Sequence, residues 1–342
     1  VKIIIPTLSM GRAGGERVLS KIATQLVKLG NDVIFITPSS DEQPYYPTEA
    51  KIVYSKKSKS RIKILRVFFT LFHLWRECKK IKADIVLANY HPTAYIAAML
   101  LTKKQRFYYV QAYEVKFSKS IFRQFFAYVT YLLPLNKIVN SDTLLPKSLN
   151  DFVAIVPAGI DYDLFYDDKL PDIHGLINIG LIGRVEPYKG TKETLYALSK
   201  YISDNNLEDK VKINVAVHLP KVDFNIKNIE NHVIKNDEEL ASFYKMNDIF
   251  IATGLIENGA FHYPCAEAMT AGCLVISNYA PLVNTSSLLK ITKFSECELN
   301  SALDKCLKSE SDIVDWVREN QKVMSDYAWQ YIGKKFLNCI KK

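Results

Sequence analysis

The sequence has no CxxC pair, and its six cysteines (Cys78, Cys265, Cys273, Cys297, Cys306 and Cys339) follow no regular spacing. That excludes a disulfide framework and a zinc ribbon, and reads as buried thiols in a reducing compartment. No run reaches the eighteen apolar residues of a transmembrane helix. Residues 1–8 are a short apolar strand with no basic leader or cleavage site, so no signal peptide is expected and a cytoplasmic location is. No group of His, Cys, Asp and Glu has metal-ligand spacing. Solenoid repeats, low-complexity tracts and nucleic-acid-binding motifs are also missing, so nucleic acid is not an expected partner.

What is present is apolar bulk and an uneven charge. The 342 residues are 48% hydrophobic, enough for a large core and, by length, two domains. Residues 51–123 carry seventeen Lys or Arg against three Asp or Glu. The half beyond residue 165 is mildly acidic. Within the basic window, residues 61–76 interleave Arg61, Lys63 and Arg66 with Leu65, Phe68, Phe69, Phe72 and Trp75, and residues 117–135 are similar. Two readings stand: core-packed helices with snorkelling basic flanks, or docking on an anionic membrane.

Periodicity gives an α/β chain. Residues 1–7 form an apolar strand that breaks at Gly14 and Gly15. Val18, Leu19, Ile22, Ala23, Leu26 and Leu29 then recur at helical spacing, Gly30 stops the helix, and VIFIT is the next strand. This βαβ unit starts a doubly wound sheet. Residues 38–60 read as a loop or edge excursion, 61–82 as a basic helix, and 83–89, 107–110 and 137–140 as strands. Ser141 is a candidate cap for a following helix. The linker lies within 157–175. Strands at 176–182, 211–217, 248–252 and 273–276 begin the second alternation.

Two segments carry chemistry. In GLIGRVEPYKG, residues 180–190, Arg184 and Lys189 flank a proline turn between a strand end and a helix start. Two cations held this way suit one anionic group, with Gly183 at the strand end. In ENGAFHYPCAEAMTAG, residues 257–272, a glycine-containing loop runs into Pro264 and a helix. Its free N–H groups favour a phosphate, and Glu267, read as a first-turn acid, suits a ribose diol. Together they describe a nucleotide-diphosphate site.

These residues resemble a known family. GRVEPYKG is similar to the arginine–lysine motif of retaining glycosyltransferases of the GT-B fold, in particular glycosyltransferase family 4. PCAEAMTAGCLVIS resembles that family's donor-loop helix. GRAGGERVLSKIATQLVKLGNDVIFIT resembles its first glycine loop and helix, VPAGIDYDLF the entry to its second domain, and YAWQYIGKKFL its closing helix. The segments stand in the family's order and cover nearly the whole chain.

The resemblance implies two facing Rossmann-like domains with a C-terminal helix returning to the first. Residues 1–165 would bind acceptor, 166–320 the donor, and 321–342 would be that helix. It implies retaining transfer from a nucleotide-diphosphate sugar, without metal or cofactor. The expected acceptor is a lipid-linked saccharide in cell-surface polysaccharide or glycolipid synthesis, at the inner membrane face. A soluble acceptor, or a non-catalytic sugar-nucleotide-binding partner subunit, are the alternatives.

By this resemblance Arg184, Lys189, Glu257 and His91 are catalytic candidates, His91 lying at a strand end. Gly14, Gly15, Gly183, Gly259, Ala260, Phe261, His262 and Glu267 join them at the donor; Glu114 and Arg12 are acceptor candidates. One departure stands out. The family's first glutamate falls on Gly259, and the nearest acid, Glu257, is two residues early. Either a bulge brings Glu257 into place, or backbone N–H groups of residues 259–262 act instead, or the activity is altered or lost.

Overall fold

The computed structural model describes residues 1–40, 43–100, 105–142, 144–256, 261–308 and 310–341. The chain divides into two units, residues 1–159 with 329–342, and residues 160–328. The first unit therefore ends at Gly159 rather than at 165, and the C-terminal segment belonging to it begins at Trp329 rather than at 321.

In the first unit the order is β1 (Lys2–Pro6), α1 (Gly14–Lys28), β2 (Asp32–Pro38), β3 (Lys51–Ser55), α2 (Lys63–Lys80), β4 (Ile85–Ala88), α3 (His91–Ala98), β5 (Arg106–Val110), α4 (Ile121–Thr130), β6 (Asn136–Val139) and β7 (Ala154–Ile155). The seven strands form one sheet, β3-β2-β1-β4-β5-β6-β7, with parallel pairing throughout. Apolar runs such as Ile3–Ile4–Ile5 are buried on both sheet faces, as a helix-covered parallel sheet requires. One face packs Ile4, Ile34, Val86 and Tyr108 against Leu74 of α2 and Ala94 and Ala97 of α3.

The second unit holds α5 (Tyr162–Phe165), β8 (Ile177–Ile182), α6 (Thr191–Asp204), β9 (Val211–Ala216), β10 (Ile229–His232), α7 (Asp237–Lys245), β11 (Ile249–Ala252), α8 (Tyr263–Thr270), β12 (Leu274–Ser277), α9 (Glu296–Lys308) and α10 (Ile313–Ser325). Its five strands are ordered β10-β9-β8-β11-β12, again parallel. Buried Asp248 ties the linker to this sheet. Its carboxylate accepts from the N–H groups of Asp172 and Asn178 at 3.0 and 2.9 Å and pairs with Lys169 at 3.3 Å.

The chain closes with α11 (Trp329–Lys341), which packs on α1 within the first unit. A Cβ on Gly333 would stand 2.4 Å from the Gln25 Cβ, so the missing side chain lets the two helices approach. Phe336 is fully buried and meets Tyr109 edge-on at 5.2 Å.

Several local expectations are corrected. Residues 38–60 contain an edge strand, β3, paired with β2. Ser141 caps no α-helix: a 3₁₀ turn at Lys147–Leu149 follows instead. Pro146 disfavours helical geometry in the residue before it. Cys297 is exposed and Cys339 half-buried, while the other four thiols are buried; Cys297 lies in the first turn of α9 between Glu296 and Glu298. The helix within 61–82 is not core-packed along its length, since only Leu74 and Cys78 are buried in α2. No helix among the described residues is long and apolar enough to cross a membrane.

Phe336→Ala should destabilise the first unit by about 3–5 kcal/mol, the usual cost of emptying a buried aromatic site. Denaturant titration read by near-UV dichroism measures it. A loss below about 1 kcal/mol would show that α11 contributes little to that unit.

Candidate functional site

Each sheet reverses its strand order beside its first strand. β1 is flanked by β2 and β4, and β8 by β9 and β11. Crossover connections leave such neighbours on opposite faces, so a crevice opens at their carboxyl ends. The described candidates gather at or near these two crevices, one cluster in each unit.

In the second unit, β8 ends at Ile182 and Gly183 follows it. The Gly183 N–H donates to the Ala216 carbonyl at 2.8 Å, and a Cβ there would stand 1.7 Å from the His218 carbonyl oxygen. Only glycine fits. A tight turn sets that carbonyl: Val217 has φ +74°, and the His218 N–H donates back to Ala216 at 3.0 Å. A β-branched residue in the left-handed region is strained.

The next residue, Arg184, has its N–H held by Thr191 Oγ1 at 2.8 Å, and Thr191 opens α6. Strand end and helix start thus both fix the arginine backbone, while its side chain is exposed. Lys189 is half-buried. Its Nζ lies 5.1 Å from the Tyr188 ring centre and 5.7 Å from that of Tyr279. Arg184, Lys189, Thr191, Thr194, Thr253 and His262 line one recess.

The helix α8 starts at this recess, with Pro264 at its second position. Its early N–H groups lack intrahelical acceptors and carry the positive end of the dipole. His262 precedes the helix; its N–H donates to Ala280 at 2.9 Å and its ring stacks on Tyr279 at 4.2 Å. Its Nδ1 is fully covered, without a hydrogen-bond partner among the described residues. Burial first, then the Lys189 and Arg184 charges, lower the imidazole from 6.5 to about 3. It is therefore neutral near pH 7.

Glu267 lies in the second turn of α8 rather than the first, because the helix already begins at Tyr263. The dipole argument for a first-turn acid does not apply. The side chain is buried, and its Oε2 accepts from the Tyr244 hydroxyl at 2.9 Å. Burial and the Glu267 carboxylate raise the Tyr244 hydroxyl well above its ordinary value, so it stays a donor. Phe261 packs edge-on against Tyr263 at 5.3 Å and stacks on Tyr327 at 5.9 Å. Glu257, Gly259 and Ala260 lie outside the described residues.

In the first unit, Asn89 spans the crevice, its Nδ2 donating to the Pro6 carbonyl at 2.9 Å. His91 is the first residue of α3. The Glu114 carboxylate accepts from the His91 N–H at 2.7 Å and meets His91 Nδ1 at 3.0 Å. Its other oxygen accepts from the Tyr108 hydroxyl at 2.8 Å, and the Glu114 N–H donates to the Tyr131 hydroxyl at 2.9 Å. Glu114 is 4% exposed. Its carboxylate is thus spent on His91 and Tyr108 rather than presented to an acceptor. An accepting carboxylate places the proton on Nδ1 and leaves Nε2 as the ring's acceptor.

Gly14 and Gly15 are the first two residues of α1, not part of the loop before it. A Cβ on Gly14 would meet nothing within 4 Å, and Gln111 Nε2 donates to the Gly15 carbonyl at 3.1 Å. Glu16 accepts from the Ala13 N–H at 3.3 Å and from the Ser9 hydroxyl, which caps the helix. Arg12 lies over the Tyr45 ring at 4.8 Å.

Sequence reasoning missed the residues that hold these candidates: Tyr244 under Glu267, Tyr279 beside His262 and Lys189, Tyr108 and Tyr131 around Glu114. Thr191 alone had a local signal, as a hydroxyl opening a helix after glycine. The tyrosines arrive through packing and leave no local pattern. No group of three or more His, Cys, Asp and Glu among the described residues could hold a metal ion.

The family description "Glycosyltransferase Family 4" matches residues 12–129. No curated protein matches the chain. Among solved structures, the sucrose-phosphate synthase of Thermosynechococcus elongatus superposes with a TM-score of 0.72 at 13% identity, covering 99% of this chain and 98% of that one. WaaG, a glycosyltransferase involved in lipopolysaccharide biosynthesis, gives 0.65 at 16% identity, covering 99% of both chains. Anabaena HepE, in complex with UDP-glucose, gives 0.67 at 14% identity, also covering 99% of both. At these identities the likeness shows the fold.

A neutral buried imidazole has a consequence for stability. Its folded value of about 3 lies below the ordinary 6.5. As pH falls below 6.5 the unfolded chain takes up a proton that the folded chain refuses, so stability drops. Between pH 7 and 5 His262 should account for a loss of about 2 kcal/mol. Paired denaturant titrations of the native protein and His262→Gln measure it. Equal pH dependence of the two would mean that the imidazole protonates freely in the folded state.

Proposed function

We propose that the chain is a retaining glycosyltransferase of the GT-B fold that moves a sugar from a nucleotide sugar without a metal, since residues 12–129 match the glycosyltransferase family 4 description and the fold is shared with solved structures such as WaaG. The acceptor in this reading is a lipid-linked saccharide at the inner face of a membrane, in cell-surface polysaccharide or glycolipid synthesis. The observation that carries the donor side is the recess of the second unit, where Arg184, Lys189 and the start of α8 converge.

A nucleoside diphosphate leaving group gains negative charge as the glycosidic bond breaks. Two cations and the helix start are placed to receive that charge, and such preorganised groups often supply the largest catalytic contribution. Neutral His262 adds no competing positive charge and can bond a sugar hydroxyl. Glu267 is the candidate for the ribose diol, its carboxylate kept in one orientation by Tyr244. The same environment suits a diphosphate without a divalent ion, because the protein itself supplies two charges.

In the first unit, His91 is the catalytic candidate at the start of α3, and Glu114 serves as the positioning residue that fixes its tautomer. Gly14 and Gly15 leave the start of α1 uncovered, which allows a phosphate or acceptor to approach the backbone. Whether Glu257 replaces the glutamate that the family pattern would put at Gly259 is decided by Glu257→Gln. A fully active variant removes that assignment and leaves the backbone N–H groups of the loop.

Support for the membrane comes from α2 and α4, which flank α3 in the first unit. Ile64 and Phe68 on α2 are 80% and 60% exposed, and Phe122 and Phe125 on α4 are 75% and 61% exposed. Lys63, Arg66, Lys119 and Arg123 stand among them. Grouped exposed apolar side chains with polar residues around them mark interaction surfaces. Apolar side chains among cations suit the interface of an anionic bilayer.

Arg184→Ala or Lys189→Ala should each lower turnover of a nucleotide-sugar donor by roughly 10²–10³-fold with the fold intact. Near-normal turnover in both would remove the leaving-group assignment.

Sedimentation with vesicles rich in phosphatidylglycerol tests the membrane reading. Binding should weaken steeply with salt and fall by at least about tenfold in Phe68→Ser combined with Phe122→Ser. Equal recovery with neutral and anionic vesicles would favour a soluble acceptor.

A further inference from the structure

A second cavity, of about 340 Å³, lies in the first unit at the carboxyl ends of β1, β2 and β3, closed on one side by α2. That volume is in the range of small-molecule sites, which run from about 300 to 1,000 Å³. Pro92 borders it, so it adjoins the start of α3 where His91 stands. Two cations, Lys57 and Arg66, line the wall, and no Asp or Glu does among the described residues. Neither cation forms an ion pair among those residues. Ser39, Ser40 and Gln43 supply polar groups at one side; Leu8, Met10 and Tyr54 supply apolar ones.

The helix α2 has two faces here. Arg66, Val67, Thr70 and Leu71 line the cavity, at the spacing of a single helical face. Ile64, Leu65, Phe68, Phe69 and Phe72 are exposed beside them. One edge of the helix thus offers a cation to the cavity, while the neighbouring edge offers unpartnered hydrocarbon.

We propose that this cavity takes the phosphate end of a lipid phosphate, held between Lys57 and Arg66, with the hydrocarbon laid along the exposed face of α2. The proposal rests on the transferase reading above and names its acceptor class. A neutral saccharide would leave two cations unmatched against an apolar wall. A soluble sugar phosphate would match the cations and leave the apolar face bare. A lipid phosphate satisfies both, and an arginine fork beside a lysine is a well-matched phosphate receptor. The cavity then brings the group attached to the phosphate to the wall next to His91.

The test is calorimetric titration of the full chain with dodecyl phosphate below its micelle threshold, beside glucose 1-phosphate and dodecyl maltoside. Dodecyl phosphate should bind at least about tenfold more tightly than either of the others, and Lys57→Ala and Arg66→Ala should each weaken it about tenfold, as for a lost charge-assisted bond. Arg66→Lys should retain part of the affinity. Thermal unfolding of the variants should match the native chain, since both side chains are exposed. Unchanged affinity in both alanine variants overturns the site. Equal binding of glucose 1-phosphate overturns the lipid assignment, and equal binding of dodecyl maltoside overturns the phosphate one. Nucleoside diphosphate binding, measured in parallel, reads the second unit alone. Its absence with dodecyl phosphate binding intact would sink the transferase reading and leave this site standing.

Discussion

A parallel sheet whose first strand lies inside it must be built outward in two directions, and this constraint places nearly everything of chemical interest in the protein. The crossovers from β1 and β8 leave on one face, and those that reach β4 and β11 arrive from the other. Between those strands the carboxyl ends are uncovered. The segments that follow β1, β4, β8 and β11 are therefore where Arg12, His91, Arg184 and Thr253 are found, His91 as the first residue of α3. Helices α1, α3 and α6 also begin there, which concentrates free N–H groups at the same ends.

Both units use a similar device to stabilise a buried carboxylate. Glu114 is held by the Tyr108 hydroxyl at 2.8 Å and Glu267 by the Tyr244 hydroxyl at 2.9 Å. A carboxylate taken from water needs donors of fixed geometry, and a tyrosine anchored by its ring supplies one with little conformational freedom to lose. Burial and the adjacent carboxylate both raise these hydroxyls, so each keeps its proton as a donor. Cation management in the second unit is the counterpart. Lys189 and Arg184 share a recess with an imidazole that stays neutral because burial and those cations oppose its charge.

The first unit has a surface that the second lacks a sequence counterpart for. Seventeen cations against three acids between residues 51 and 123 fall largely on α2, α4 and the segments leading into them. Of the aromatic residues among them, Phe68, Phe69, Phe72, Phe122, Phe125 and Phe126 stay exposed. The fully buried residues are Leu74 and Cys78 of α2 and Ala127 and Thr130 of α4, with Leu71 and Trp75 of α2 packed partly against the core. Hydrocarbon left outside with cations beside it suits a bilayer or an amphiphile better than it suits bulk water.

The alternation of apolar strands with amphipathic helices determined the α/β class. Val18, Leu19, Ile22, Ala23 and Leu26 mark the buried face of α1 because a helix repeats every 3.6 residues, and that rule needs no partner. The Arg184–Lys189 spacing likewise announced a strand end and a helix start. Other features depended on tertiary structure. A short edge strand such as β3 exists only because β2 offers it hydrogen bonds, and its own pattern was too brief to declare it. Pro264 suggested a helix start near Glu267, but the carboxylate's burial and its bond to Tyr244, twenty-three residues away, follow from packing between α7 and α8. Glu114 read as an acceptor candidate, and only tertiary packing closed Tyr108, Tyr131 and His91 around it. Periodicity reports which face of an element is apolar; the identity of the group met by a buried polar atom is decided only when distant segments pack together.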